Sequence, residues 1–140
     1  MTTVTTSQAP TAKPVGVSLE LTTAYQTIIA VPDYLIPVAG STDPTETRTA
    51  PGVAEVSSPL LLTNKDSVSR TVSVRITRAG GGSFILANAL VVEPYDVVIF
   101  PLNGQFLQTD DVLQVLASAN SAVDATISYT IGQAEEDDVI

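Results

Sequence analysis

The chain has no cysteine, no histidine and no tryptophan, and only six lysines and arginines in 140 residues. Each absence removes a class of chemistry. Without cysteine there is no disulfide and no thiolate nucleophile. Without histidine there is no side chain that ordinarily titrates near neutral pH, the base on which nucleophilic triads lean. Zinc sites, built chiefly from those two residue types, lose both usual ligands. Six cations against 15 acids leave a net charge of −9. Nucleic-acid binding requires phosphates to be neutralised by Lys and Arg, so the field has the wrong sign for DNA, RNA or an anionic membrane surface. No run of about 18 apolar residues is present to span a bilayer. The opening MTTVTTSQAPTAKPVG lacks the basic and apolar regions of a signal peptide. The sequence therefore predicts a protein made in a cytosol, which can still come to sit on an extracellular particle without classical secretion.

What is present points to strands. Hydrophobic residues make up 44% of the chain and aromatics 5%; Val, Ile, Leu and Ala dominate, with abundant Thr and Ser. β-Branched side chains pack well on a pleated surface. Val15, Val17, Leu19 and Leu21 alternate with small or polar residues, the period of a half-buried strand. AYQTIIAV (24–31) continues, and GVAEVSSPLLLTN (52–64) contains a strand with Pro59 at its start or at a bulge. SRTVSVRITR (69–78) is the clearest alternation, with Val72, Val74 and Ile76 on one face. FILANALVV (84–92), with a break at Asn88, and YDVVIF (95–100) follow. DVLQVLAS (111–118) and AVDATISYTIG (122–132) are expected to form a core hairpin across Ala119-Asn120-Ser121. About eight strands separated by short turns predict an all-β fold: a single antiparallel β-sandwich or jelly-roll-like domain.

Three segments depart from this pattern. Residues 1–14 read as a flexible N-terminal arm, or one that orders against a neighbour. The sandwich is then expected over 15–132, and the acidic C-terminal tail over 133–140. In that tail Glu135, Glu136, Asp137 and Asp138 repel one another, which solubilises the terminus or docks it on a basic surface. Between these lies a long Pro-rich loop, 32–52, where four prolines interrupt any ladder. Tyr34, Leu35, Ile36 and Val38 are apolar within it. They either cover an open edge of the core or pack into a partner, and are the candidate protein–protein contacts.

No catalytic, cofactor-binding or metal residues are assigned. Gly80, Gly81 and Gly82 are not a phosphate loop, because neither Lys-Ser/Thr nor a helix follows. Paired carboxylates can cleave glycosides, but few aromatics are present to stack a sugar. Asp110 and Asp111, with Asp43, Glu46 and Asp96, offer hard oxygen ligands for calcium without EF-hand spacing; the preferred reading is that Asp110 and Asp111 cap a turn.

The C-terminal half resembles a recurrent class of small β-sandwich proteins in tailed-bacteriophage particles. The resemblance rests on PLNGQFLQTDDVLQVLASANSAVDATISY (101–129), where Asp110 stands at a position often Gly in the class. PLLLTNKDSVSRTVSVRIT (59–77) adds a strand, a polar turn and an alternating strand. Together they cover about a third of the chain; the 32–52 segment is longer than the connection typical of the class. The resemblance implies a non-enzymatic virion protein, first a capsid decoration or cement protein stabilising the assembled capsid. Its partners would be copies of itself, for example as a trimer, and the major capsid protein or other virion proteins. The alternatives are a neck, head–tail joining or tail component, or a carbohydrate- or receptor-binding module.

Overall fold

The structure, a computed structural model, describes residues 13–43 and 45–133. Among the described residues twelve strands follow in order: β1 (Lys13–Glu20), β2 (Gln26–Ala30), β3 (Tyr34–Pro37), β4 (Thr47–Ala50), β5 (Gly52–Val56), β6 (Leu60–Asn64), β7 (Arg70–Thr77), β8 (Ser83–Val92), β9 (Val97–Phe100), β10 (Phe106–Gln108), β11 (Val112–Ala117) and β12 (Val123–Gln133). Every pairing is antiparallel. No helix among the described residues is long and apolar enough to cross a membrane.

β12 is the spine of the first sheet. Along one edge it pairs with all of β1, from Lys13↔Ile131 to Glu20↔Asp124. Along the other it pairs first with β6, Val123↔Asn64 to Thr126↔Leu61, then with β5, Tyr129↔Val56 to Gln133↔Gly52. β6 and β5 are thus one ribbon interrupted at Ser57-Ser58-Pro59, where three steps on β12 face five on the ribbon. The interruption is hydrogen-bonded: the Ser57 amide donates to the Ser128 carbonyl at 3.0 Å, and the Ser128 amide to Ser58 Oγ at 2.9 Å. This bears out Pro59 at a bulge, since a proline cannot donate to a ladder. β9 and β10 form a second interrupted ribbon on the far side, with Leu60↔Phe100 in register, Leu60 immediately after Pro59 and Phe100 immediately before Pro101. Gly104, at φ +94°, makes the turn between them and donates its amide to the Val56 carbonyl at 2.8 Å.

The second sheet runs β2-β11-β7-β8. With the two interrupted ribbons each taken as one and the β3–β4 pair set aside, eight ribbons remain. The first pairs with the eighth, the second with the seventh, the third with the sixth and the fourth with the fifth. A long antiparallel hairpin rolled into two facing sheets has this order, and that is a jelly roll. The expected all-β, jelly-roll-like sandwich of about eight strands is what forms.

The core fills the space between the sheets. Leu62, Ala125 and Ile127 of the first sheet and Val72, Val74, Leu113 and Val115 of the second are all essentially solvent-free in one cluster. Leu21 sits where the chain passes between sheets: its amide donates to the Val123 carbonyl at 2.9 Å and its carbonyl accepts from Ser121 at 3.0 Å.

Three expectations need correction. β11 and β12 are not a hairpin. β11 pairs with β2 and β7, β12 with β1, β6 and β5, and Ala119-Asn120-Ser121 arches from one sheet to the other. A period of two fixes which side chains point inward, and two strands facing each other across a sandwich share it as readily as two paired ones. The 32–52 segment is not a structureless loop. β3 and β4 pair within it, from Tyr34↔Ala50 to Pro37↔Thr47, and its last residue opens β5. The arm expected over 1–14 is shorter at its inner end, since Lys13 and Pro14 already pair in β1; Pro14 is tolerated because β1 is an edge. The rest of that arm, 1–12, and the tail from 134 onward lie outside the described residues, and Gln133 still belongs to β12.

Candidate interaction surface

Four of the five carboxylates considered for calcium, Asp43, Glu46, Asp96 and Asp111, are engaged in local hydrogen bonds. Asp111 accepts from the Gln108 amide at 2.8 Å, the Ala79 amide at 2.9 Å and Arg78 Nη1 at 2.8 Å. This is the turn-capping role expected of it; Asp110 beside it is exposed, at φ +70°. Asp43 accepts from the Thr45 amide at 2.9 Å and Thr45 Oγ1 at 2.7 Å, bonds that lower its carboxyl below the ordinary value. Ser41 Oγ donates to Glu46, and Asp96 accepts from the Val97 amide at 2.8 Å. Among the described residues no three His, Cys, Asp or Glu side chains converge. An open cleft of about 600 Å³ lies between the β7–β8 turn and β10, and its Arg78 and Asp111 are committed to each other.

The β3–β4 hairpin divides the four candidate contact residues. Alternation places Tyr34 and Ile36 on the face turned to the body and Leu35 on the opposite face. Ile36 is 8% exposed and Leu35 73%; Tyr34 and Val38 are half-buried. The Tyr34 ring lies against Gly52, where any added Cβ would meet Cε2 at 3.0 Å. Burial raises the Tyr34 hydroxyl's pKa; it also raises that of Tyr129, with a further contribution from Tyr34. The hairpin therefore covers the body with one face and presents Leu35 with the other. Ile36 thus takes the covering role expected of the segment, and Leu35 is left exposed.

Further exposed apolar side chains, missed from the sequence, lie near one flank of the sandwich, on the outer face of each sheet. β8 ends the second sheet and β9 with β10 ends the first. An unpaired edge strand exposes backbone donors and acceptors, and is usually blunted by charge. These three strands, SFILANALVV, VVIF and FLQ, contain no charged residue. Ile85 and Val91 face outward on β8, opposite Arg75 and Thr71. Val97, Ile99 and Phe106 face outward on β9 and β10, opposite Thr63, Leu61 and Glu55. Phe84 stands at the mouth of the core opposite Ile76, and Tyr95 in the turn joining β8 to β9. With Leu61, these account for eight of the ten large exposed hydrophobics; Leu35 and Val68 are the others.

The opposite side of the same face is polar. Ser18 and Glu20 of β1 and Asp124, Thr126 and Ser128 of β12 point outward there. Lys65 bridges Glu20 at 2.7 Å and Asp124 at 3.0 Å, contacts that raise its own pKa.

Asn64 holds the flank in place. It is 1% exposed, and its Nδ2 donates to the carbonyls of Val68 at 2.9 Å, Val92 at 3.0 Å and Glu93 at 3.2 Å, while Oδ1 accepts from the Asp66 amide at 2.9 Å. The end of β8 is thereby fixed to the end of β6. β8 also carries two register shifts, one at Asn88-Ala89 with Ala89 at φ +54° and its amide on Ser73 Oγ. The break expected at Asn88 is this bulge.

Of the seven aromatics, Tyr129 is core, Tyr25 is covered by the Arg75 guanidinium at 3.8 Å, and Phe84, Tyr95 and Phe106 are exposed on the flank. Comparison of the sequence with protein-family models and with curated proteins finds no match.

Proposed function

We propose that this chain is a non-enzymatic structural protein of a tailed-phage virion, a capsid decoration or cement protein that stabilises the assembled capsid. One observation carries the reading. The exposed apolar side chains stand on the open outer faces of both sheets and on a projecting hairpin, shapes that lie against protein rather than enclose a small molecule. The jelly roll is compatible with the reading, because capsid proteins are among its users, but it hosts other functions too. The likeness of residues 59–77 and 101–129 to small phage sandwich proteins supplies the particle.

The action is mechanical. Leu35, displayed on a hairpin whose other face is anchored by Ile36, is the contact to the major capsid protein. A protein that binds the assembled lattice and not its free subunits stabilises the lattice by mass action. The test is copy number in purified virions, by quantitative mass spectrometry against the major capsid protein. A decoration protein repeats with the lattice, on the order of hundreds of copies; about a dozen or fewer would assign it instead to a neck or tail ring, where symmetry sets the count. Absence from the virion would end the reading.

A further inference from the structure

On the virion reading above, on which this rests, we infer that Tyr95 is a second protein contact, at the end of the sandwich opposite the β3–β4 hairpin, and that it meets a basic surface of the assembled capsid.

The backbone gives the first sign. The Asp96 amide donates to the Glu93 carbonyl at 3.1 Å and closes a turn with Pro94 and Tyr95 at its centre. Proline suits the first central position; a positive φ at the second ordinarily calls for Gly or Asn. Tyr95 stands there at φ +55°, a conformation that costs a bulky residue free energy. Its ring is 71% exposed, so burial within this chain does little to offset that cost. A tyrosine where glycine would fit better, with its ring in water, is placed for contact with something outside the chain.

The turn is also held still. The Tyr95 amide donates to the Asp66 carbonyl at 3.3 Å, and the Asn64 amide to the Asp96 carbonyl at 2.9 Å. Asn64 Nδ2 adds the Glu93 carbonyl at 3.2 Å and the Val68 carbonyl at 2.9 Å, which sets the exposed Val68 on the same anchor. An aromatic on a fixed turn loses little freedom on binding, and tyrosine is among the residues that most often anchor interfaces.

Charge selects the partner. Glu93 and Asp96 stand on either side of Pro94-Tyr95, and among the described residues neither is ion-paired, whereas Asp66 is held by Arg70. Two carboxylates beside an aromatic ring match a surface that carries Lys or Arg, cations that also bind the ring face. The open cleft lies at the other end of the sandwich, by Arg78 and Gly104, so this turn meets a surface rather than enclosing a small molecule.

Position gives the contact its use. Val123, at the start of β12, pairs with Asn64 beside the Tyr95 turn; Gln133, at its end, pairs with Gly52, where the hairpin joins the body. The 11 residues of β12 span about 33 Å, so Leu35 and Tyr95 reach the particle at points on the order of 30 Å apart. Two weak contacts reinforce each other only where both partners are held at that spacing, as in an assembled lattice.

The experiment is co-sedimentation of purified full-length protein with stripped, assembled capsids. Tyr95→Gly, which relieves the backbone, is expected to keep or raise Tm yet weaken capsid binding by at least about tenfold. If Tyr95→Gly lowers Tm, Tyr95→Asn, which also accepts a positive φ, repeats the test. Tyr95→Phe keeps the ring and is expected to bind. Wild-type binding is expected to weaken with added salt, and to do so less steeply in the Glu93→Gln, Asp96→Asn double variant. Binding unchanged in both Tyr95→Gly and Tyr95→Asn, or wild-type binding that salt does not weaken, overturns the inference while leaving the capsid reading standing. Wild-type protein that does not bind capsids refutes the virion reading, and the Tyr95 contact with it.

Discussion

Arg78, at the start of the β7–β8 turn, donates through Nη1 to Asp111 Oδ2 at 2.8 Å, and Asp111 is 5% exposed. Together with the Gln108 and Ala79 amides, this contact ties the hairpin turn of one sheet to the turn that opens β11. Burial by itself would raise the Asp111 carboxyl; the two amides and the guanidinium outweigh it and hold it below the ordinary aspartate value. A group depressed on folding stabilises the fold above its unfolded value, and that contribution is lost as pH falls through the folded value. Asp111→Asn is expected to cost about 1–3 kcal/mol near neutral pH, because a donor then faces donors. The variant's stability should also fall less than the wild type's on acidification below the ordinary aspartate value. Urea melts at neutral and acid pH measure both effects.

Asn64 makes the sharper test of polar satisfaction. Its Nδ2 faces three carbonyls. Asn64→Asp, close to isosteric, would set a carboxylate oxygen against the same acceptors. The expected loss is about 3–5 kcal/mol, the cost of an uncompensated buried charge. Proteolysis should then cut first near residues 93–96, because the crossover to β9 loses its anchor. A variant as stable as the wild type would show that Asn64 does not hold the flank.

Gly52 is fixed by space. A Cβ there would stand 2.5 Å from the Pro32 carbonyl oxygen, a backbone atom, so no side-chain rearrangement relieves the clash. Gly52→Ala is expected to destabilise by about 1–3 kcal/mol, the usual range for overpacking, and to loosen the seat of Tyr34. Thermal unfolding checks the first effect. A rise in Tyr34 exposure by solvent-perturbation spectroscopy checks the second.

Leu35 and Ile36 are adjacent and predict opposite outcomes. Leu35→Asp, at an exposed position, is expected to keep stability within about 0.5 kcal/mol and to abolish binding to assembled capsids. Ile36→Asp puts a carboxylate on the covered face and is expected to destabilise the hairpin. Denaturation and capsid co-sedimentation, measured on both variants, separate the two roles.

These particulars show what the sequence disclosed. Alternation in Val72-Val74-Ile76 and in Val123 through Ile131 revealed strands and their inward faces, because burial acts on each strand alone. It could not reveal that β11 and β12 face each other across the core, since pairing partners leave no mark on periodicity. Prolines made 32–52 look irregular. Yet Pro32 and Pro51 lie outside its strands and Pro37 ends β3, which leaves room for a four-residue pair. Leu35 was legible as apolar but not as exposed, because one residue's shift along a strand decides its face. The flank was legible only in the uncharged runs at 83–92 and 97–100, a signal that buried strands share. That β8 and β9 end their sheets became visible only with the topology.

The most direct test is binding of the purified protein to assembled capsids stripped of it, with unassembled capsid protein as the control. Co-sedimentation that saturates on the assembled lattice, leaves the free subunits unbound and raises the temperature at which the particle opens is the predicted result. No binding to the lattice, or equal binding to free subunits, would contradict a stabilising role on the capsid.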